Sequence, residues 1–357
     1  MAKKQKIRLA ISIGDGNGIG LEVIMKCFSD NRMYDSMTPI IYGGRNHAKS
    51  YKKQIGIDDF SFNFIDEPSK ASPKKANLVD VIQKDIKVDF GQATKESGAC
   101  ALESLKAAVA DLASNKVDVL VTAPINKSNI QSDQFQFPGH TEYLAQMANS
   151  DEVLMFMISN GIRIGVATGH IPVNEVAKSI TKEGIVNHLK LMNKSLMRDF
   201  GIVKPKIAVL GLNPHAGDNG LLGDEEINII TPAIDLAKKS NLLAFGPFPA
   251  DGFFGSSSFK HFDGILAMYH DQGLIPFKAL TFESGINYTA GLPIVRTSPD
   301  HGTAYEIAGK NEASAASFRA ACFAAIDIYR NRQKHKSLMQ HSIYKKKSNQ
   351  QKSTVQE

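Results

Sequence analysis

Three histidines follow predicted β-strands at short and similar distances. His170, His215 and His270 lie one to three residues beyond three apolar runs, at residues 163–167, 206–212 and 264–269. If these strands share one sheet, the three imidazoles can converge. Three neutral nitrogen ligands with an open fourth position form a catalytic divalent-metal site. A single loop histidine is more often a helix cap or a surface residue, so the spacing alone leaves both interpretations open.

Other polar residues indicate a site for an anionic group. His140 and Thr141 follow a Pro-Gly turn at the start of a predicted helix, where free backbone N–H groups favour an anion. A helix cap by Thr141 is the alternative. Lys278, Asn287 and Arg296 lie in a segment dense in glycine and proline. They supply the charge and donors that a phosphorylated substrate requires, although surface solvation explains any one cation taken alone.

The elements that position these residues alternate between strand and helix. Two further buried strands are predicted at residues 7–13 and 117–122. Helical spacing of apolar residues predicts helices near residues 21–28, 99–112, 185–196, 227–237 and 312–330. This alternation predicts an α/β fold with a largely parallel sheet, whose ligands bind beyond the carboxyl ends of the strands.

The glycine-rich loop at residues 14–20 fails the test for a dinucleotide-binding loop. A GxGxxG motif that begins at Gly14 would need glycine at Ile19, and one that begins at Gly16 would need glycine at Leu21. The loop therefore indicates a tight turn from strand to helix, not a Rossmann fingerprint.

Charge and composition exclude several classes of protein. The 357 residues are 43% hydrophobic and 22% charged, as is typical of a globular protein of two domains. The formal charge of +6 resides entirely in residues 331–357, which carry seven cations and one anion. A balanced body argues against nucleic-acid binding. We expect residues 331–357 to be a disordered basic tail, with a binding arm as the alternative.

The chain carries no sign of a membrane or an oxidising compartment. No apolar run reaches the roughly 18 residues of a membrane span, and the N-terminal run is too short for a signal peptide. Cys27, Cys100 and Cys322 show no CxxC spacing and are interpreted as core residues. We therefore expect a cytoplasmic protein without a membrane or nucleic-acid partner.

Six segments of the chain form a distinctive set. They are FPGHTEYLA, ATGHIP, LNPHAGDNGLLGDEE, GPFPADGFF, YHDQGLIPFK and GLPIVRTSPDHGTAYEIAGK. In order and spacing they resemble the 4-hydroxythreonine-4-phosphate dehydrogenase family of vitamin B6 biosynthesis. The resemblance spans about residues 7–328. It departs from the family at GDGNGIGLE, where GDPAGIGPE is typical, so Gly16 and Leu21 stand in place of prolines. Without two fixed φ angles the turn is expected to be looser.

The resemblance implies the fold of the isocitrate and isopropylmalate dehydrogenases, two α/β domains flanking a cleft, not a Rossmann fold. The first domain would comprise residues 1–130 and 280–330, and the second, with most of the ligands, residues 131–279. Residues 331–357 would remain as the tail. Family members are homodimers whose active site uses residues of both subunits.

Position by position, the resemblance also implies a ligand set. His170, His215 and His270 would bind a divalent metal, usually zinc, with magnesium or cobalt also supporting activity. The residues that would hold the phosphorylated substrate are His140, Thr141, Lys278, Asn287 and Arg296.

The implied reaction is the oxidation of 4-phosphooxy-L-threonine by NAD or NADP in pyridoxal 5'-phosphate biosynthesis. The resulting β-keto acid would lose carbon dioxide to give 3-amino-2-oxopropyl phosphate. One alternative is a dehydrogenase of a related sugar-acid phosphate, 4-phospho-threonate or 4-phospho-erythronate. A more distant alternative is a three-histidine zinc phosphoester hydrolase, which would release phosphate without NAD. A non-catalytic binding module would need neither three histidines nor an anion clamp.

The proton acceptor for the substrate alcohol is left open among three residues. Asp251 and Asp271 are candidates, and so is Lys127, because a buried lysine near a metal can act as a base. Each could instead be structural: Asp271 could orient His270, and Lys127 could pair with a carboxylate.

Overall fold

One mixed sheet of twelve strands forms the frame of the molecule. The computed structural model describes residues 6–150, 152–159, 161–281 and 283–353, with side chains as far as residue 341. The strands within these residues are β1 (Ile7–Ser12), β2 (Met37–Gly43), β3 (Phe62–Ile65), β4 (Ala76–Asp80), β5 (Val119–Thr122), β6 (Leu154–Ser159), β7 (Ile162–Thr168), β8 (Lys206–Leu210), β9 (Leu243–Phe248), β10 (Gly264–Tyr269), β11 (Ile286–Ala290) and β12 (Arg296–Pro299). Their order across the sheet is β3-β4-β2-β1-β5-β12-β11-β6-β7-β10-β8-β9.

Helices connect the strands and cover the sheet. They are α1 (Gly20–Phe28), α2 (Met33–Ser36), α3 (Arg45–Ile55), α4 (Lys95–Ala113), α5 (His140–Met147), α6 (Val173–Ser179), α7 (Lys182–Arg198), α8 (Thr231–Lys239), α9 (Ala250–Gly255), α10 (His270–Leu280) and α11 (Ala316–Ser353). Threonine side chains cap α4 and α7: Thr94 accepts from the amide of Ser97, and Thr181 accepts from that of Gly184. Because helices cover the sheet, β5 is buried along its whole length.

The direction of the strands changes at the centre of the sheet. The pairs β12–β11, β11–β6 and β6–β7 are antiparallel, whereas β5–β12 and β7–β10 are parallel. The outer halves of the sheet therefore run in opposite directions. The loops after β5, β7 and β10 nevertheless contribute residues to one cavity.

This architecture agrees with an α/β fold and differs from a Rossmann sheet, because antiparallel strands occupy its centre. Residues 131–279 supply β6 to β10, which are contiguous in the sheet, and the remaining strands come from the flanking segments. Whether these halves are two domains stays a prediction.

The first glycine-rich loop is a closely packed turn. A Cβ atom on Gly14, whose φ is +71°, would lie 2.2 Å from the carbonyl oxygen of Pro124. The hydroxyl of Tyr51 donates to the carbonyl of Gly18 at 2.7 Å, and Nε2 of His47 lies 3.0 Å from that of Gly16. These contacts stiffen a loop that the sequence predicts to be loose for lack of its two prolines.

The C-terminal segment differs from its predicted form. Helix α11 starts at Ala316 and continues to Ser353, so residues 331–353 are helical and not irregular. The last four residues lie outside the described part of the chain. Asn331 and Arg332 belong to the folded body, because both side chains donate hydrogen bonds to Asp199, which directly follows helix α7. A charge count cannot reveal such a contact, since it treats every cation in the segment alike.

Candidate active site

A cavity of about 320 Å³ lies over the central strands of the sheet. Its walls come from the loop after β5, the start of α5, the loop after β7, helix α10 and strand β12 with the residues that follow it. Seven of the eight residues predicted to bind metal or substrate line it: His140, Thr141, His170, His270, Lys278, Asn287 and Arg296. The pocket thus combines residues from both halves of the sheet.

Arg296 places a positive charge in this cavity, and no carboxylate among the described residues is hydrogen-bonded to it. The residue is only 3% exposed. Its guanidinium donates to the hydroxyl oxygen of Thr122 from Nε at 3.1 Å and from Nη2 at 2.8 Å. Its Nη1 donates to the hydroxyl of Thr289 at 3.3 Å. Burial lowers the pKa of Arg296 to about 10, and the charge of Glu142 opposes this effect. A buried cation bonded only to hydroxyls can accept an anionic ligand.

Three buried side-chain atoms around the cavity have no hydrogen-bond partner among the described residues. They are Nε2 of His140, Oδ1 of Asn287 and Nε2 of His301. Buried polar atoms are nearly always bonded, so these three indicate a ligand that would complete them. Burial, Arg296 and Lys127 together lower the pKa of His140 well below its usual value. Its ring is therefore neutral near pH 7 and can donate one hydrogen bond to an anion.

Two lysines add to the positive charge of the cavity. The Nζ atom of Lys278 lies 3.7 Å from a carboxylate oxygen of Asp300. Burial raises the pKa of that carboxyl, and Lys278 opposes the rise. Lys127 lines the wall formed by the loop after β5. The cavity therefore combines Lys127, Lys278 and Arg296 with two carboxylates, those of Glu142 and Asp300, and favours an anion.

His170 and His270 form the part of the predicted metal site that one chain brings together. Their ring centroids are 5.4 Å apart. Nδ1 of His270 lies 2.7 Å from Oδ1 of Asp271, which fixes the ring and leaves Nε2 for a ligand. Burial, Lys127 and His270 lower the pKa of His170, so its ring is neutral near pH 7, as a metal ligand must be.

His215 does not join this pair within one chain. It is exposed and does not line the cavity. The loop that carries it is tied back by Glu226, whose carboxylate accepts from the amides of Leu212 and Asn213 at 2.7 and 2.8 Å. In the described residues, no three His, Cys, Asp or Glu side chains are arranged to hold a metal ion. The convergence of three histidines expected from strand ends therefore does not occur in the single chain.

The three candidate bases have different surroundings. Lys127 lines the cavity. Asp271 is bonded to His270, as expected of a residue that orients a ligand. Asp251 is exposed on helix α9 and is not among the lining residues. Lys127 is therefore the candidate best placed within this chain.

Several residues that line the cavity are not predicted from the sequence. Thr122, Glu142, Asp300 and His301 all border the cavity. Asp300 and His301 directly follow β12, so the strand-end pattern used for the other histidines applies to His301 as well. The sequence does not reveal β12 as a strand, because its four residues, RTSP, lack the apolar run that marks a buried strand.

Comparison with known proteins decides the family. The family model described as pyridoxal phosphate biosynthetic protein PdxA matches residues 35–325, a range that contains every residue lining the cavity. The chain belongs to this family. Relatives in the PdxA family include the 4-hydroxythreonine-4-phosphate dehydrogenase of Bacteroides thetaiotaomicron, 50% identical over 94% of this chain and 92% of that protein. The enzyme of the same name from a Sulfurihydrogenibium species is 40% identical over 87% of this chain and 95% of that protein.

Solved structures confirm the predicted fold. The crystal structure of 4-hydroxythreonine-4-phosphate dehydrogenase from Klebsiella pneumoniae has a TM-score of 0.78 and 30% identity, and the match covers 92% of this chain and 99% of that one. A terephthalate 1,2-cis-dihydrodiol dehydrogenase from Burkholderia xenovorans shares the fold, with a TM-score of 0.59 at 24% identity over 90% of this chain and 98% of that one. The PdxA-family relatives are dehydrogenases, as the sequence predicts for this chain. Among the described residues, no helix is long and apolar enough to cross a membrane.

Proposed function

We propose that this chain oxidises 4-phosphooxy-L-threonine with NAD or NADP as the electron acceptor. The product, a β-keto acid, would lose carbon dioxide to give 3-amino-2-oxopropyl phosphate, a step in pyridoxal 5'-phosphate biosynthesis. The observation that carries the proposal is Arg296, a buried cation whose hydrogen-bond partners within the described part of the chain are hydroxyls, in a cavity of positive charge. The substrate named for the relatives carries a phosphate that matches it.

The phosphate would be held at the inner end of the cavity. Arg296 would contribute a fork of donors, and Lys278 a point charge. His140, Thr141 and Asn287 would complete the phosphate shell with neutral donors, which explains why the buried Nε2 atom of His140 has no partner among the described residues. Anchoring the phosphate at one end orients the alcohol at the other, so remote binding energy serves the reaction.

A divalent metal, zinc by preference and magnesium or cobalt as substitutes, would be held by His170 and His270 with His215 of the partner subunit. When bound, such an ion favours loss of the alcohol proton and stabilises negative charge on the ketone oxygen. Asp271 would keep His270 oriented, and Lys127 would accept the alcohol proton. His170 and His270 fit this role, because the ring of His170 is neutral near pH 7 and Nε2 of His270 is free for a ligand.

A homodimer would complete the site. The three loops that carry the histidines also expose large apolar side chains: Ile171, Val173, Leu221, Leu222 and, on α10, Ile275. Val173 is 82% exposed and Leu221 78%. Exposed apolar side chains on these segments favour burial against a second copy of the chain.

Mixing two inactive variants tests the shared site. In a dimer that takes His170 from one subunit and His215 from the other, a His215→Ala subunit and a His170→Ala subunit together form one intact and one doubly defective site. Randomly mixed dimers should recover about a quarter of the wild-type activity. Each variant alone should stay inactive. A mixture that remains inactive although heterodimers form would contradict the shared site.

The reaction itself is tested by following NADH or NADPH formation with purified protein and zinc. We expect turnover with 4-phosphooxy-L-threonine and little with 4-phospho-D-erythronate or 4-phospho-L-threonate. If the enzyme prefers a sugar-acid phosphate, its substrate is that sugar acid and not 4-phosphooxy-L-threonine, while the assigned reaction remains an oxidation. Release of inorganic phosphate without reduction of the nucleotide would identify a phosphoester hydrolase and overturn the proposal.

A further inference from the structure

The guanidinium of Arg296 is held by two threonine hydroxyls from two neighbouring elements. Thr122 is the last residue of β5, which pairs in parallel with β12, where Arg296 is the first residue. Thr289 lies on β11, the antiparallel neighbour of β12 on its other side. Both threonines are fully buried. The hydroxyl oxygen of Thr122 alone accepts two of the three hydrogen bonds, from Nε and Nη2.

Another buried guanidinium of this chain is held differently. Arg332, whose side chain is 10% exposed, pairs with the carboxylate of Asp199 at 2.7 Å. Arg198 binds the same carboxylate at 2.6 Å. Buried arginines usually require such a counter-charge, because an uncompensated charge in a protein interior is costly. Arg296 donates its hydrogen bonds to hydroxyl oxygens, whereas Arg332 is paired with a carboxylate.

The difference has a consequence for ligand binding. A carboxylate would hold the guanidinium firmly but would also neutralise it, so an incoming phosphate would meet an ion pair. A hydroxyl accepts the same hydrogen bonds and leaves the charge free. The β-branched threonine side chain also has few χ1 rotamers, which favours a fixed oxygen position.

We propose that Thr122 and Thr289 are positioning residues that orient Arg296 for the substrate phosphate without forming an ion pair with it. This inference rests on the proposed function for the assignment of the phosphate to Arg296. It assigns a role to two residues that would act on the substrate only through Arg296.

Three replacements of Thr122 separate orientation from charge. Thr122→Val keeps the shape and removes the acceptor. Thr122→Ser keeps the acceptor, and Thr122→Asp keeps an acceptor but adds the negative charge. Thr297→Val is the matched control: Thr297 is the buried neighbour of Arg296 on β12, and its hydroxyl donates to the carbonyl of Ala321 at 2.8 Å instead.

The readouts are the KM and kcat for 4-phosphooxy-L-threonine and the dissociation constant of inorganic phosphate from calorimetry. We expect Thr122→Val and Thr122→Asp to weaken phosphate binding and raise KM by about ten- to hundredfold, with kcat changed much less. Thr122→Ser and Thr297→Val should stay close to wild type. Thr289→Val, which loses the longer hydrogen bond, should give a smaller effect in the same direction.

Two results would overturn the inference: phosphate binding by Thr122→Val equal to wild type, or binding by Thr122→Asp as tight as by Thr122→Ser. Circular dichroism of each variant identifies a loss of fold, and Thr289→Val then carries the comparison with Thr297→Val. Phosphate binding does not depend on turnover. A wild-type protein that binds phosphate but does not oxidise the substrate would therefore disprove the proposed function and still test the threonines.

Discussion

At the scale of single residues, hydrogen-bond partners and burial determine the charge and the orientation of each side chain in the site. Arg296 stays charged near pH 7 because burial lowers its pKa only to about 10, and its hydroxyl partners do not neutralise that charge. His140 stays neutral because it is buried beside two cations. His270 has its ring held through Nδ1 by Asp271. Residue type alone therefore does not assign a role; the hydrogen-bond partner does.

Replacing Asp271 by asparagine should weaken zinc binding without unfolding the protein. An amide accepts a weaker hydrogen bond from Nδ1 of His270 than a carboxylate does, so the ring is held less firmly and is less basic. Loss of such a partner typically costs about ten- to a hundredfold in metal affinity. Competition with a chromophoric chelator measures the change. Asp235→Asn on α8 is the control, since that carboxylate lies on the surface beside Lys238; equal affinities in the two variants would contradict the role of Asp271.

At the scale of elements, helix α11 ties the two halves of the sheet together. Asp199 at the end of α7 is fully buried. Burial alone would raise its pKa, but hydrogen bonds and charges from Arg198 and Arg332 lower it. Arg332 also donates to the carbonyls of Pro293 and Ile294 at 3.0 and 2.9 Å. The helix is thus anchored beyond the point at which composition suggests that the folded part ends.

Deletions from the C-terminus should locate that anchor. Composition predicts that a chain ending at Arg330 is fully functional, whereas the structure predicts a loss of stability because Asp199 loses Arg332. We expect this deletion, and Arg332→Ala in the full chain, to lower the free energy of unfolding by about 3 kcal/mol. A chain ending at residue 341 should unfold like the full chain in urea.

Arg330→Ala provides the matched control for this comparison. Arg330 is half-exposed and lies 3.6 Å from Asp327 on the same helix, a surface pair of little energetic weight. If Arg332→Ala were no less stable than Arg330→Ala, the cluster at Asp199 would not be the anchor.

At the scale of the whole molecule, histidines couple stability to pH. Burial is the main cause that lowers the pKa of five of them: His47, His140, His170, His188 and His301. Below about pH 6.5 the unfolded chain takes up protons at these positions and the folded chain does not. Stability therefore falls as pH falls. Asp300 acts in the opposite sense, because its raised pKa lets the folded state bind a proton first.

We accordingly expect the free energy of unfolding to decrease between about pH 7 and pH 5. Urea unfolding at several pH values measures the slope. His188→Gln should make it shallower, because His188 lies on α7 outside the cavity and its removal deletes one of the contributing groups. A free energy that is constant over this range would contradict the coupling.

The sequence by itself determined the family, the α/β class and most of the site. Apolar runs locate β1, β5, β7, β8 and β10, because buried strands need continuous apolar side chains. Motifs around His140, His170, His270 and Arg296 identify residues that do meet in one cavity, since loops that follow strands of one sheet lie close in space.

The tertiary structure decided what depends on contacts between distant segments. Strands β11 and β12 are short and partly polar, so local pattern does not mark them, yet both line the cavity together with the apolar strand β6. Only the fold joins Arg296 to Thr122, 174 residues away, and Arg332 to Asp199, 133 residues away. Only the fold separates His215 from the other two histidines, because Glu226 holds its loop. Local propensity and residue spacing do not predict contacts between residues so distant in the sequence, because sheet order and burial determine them.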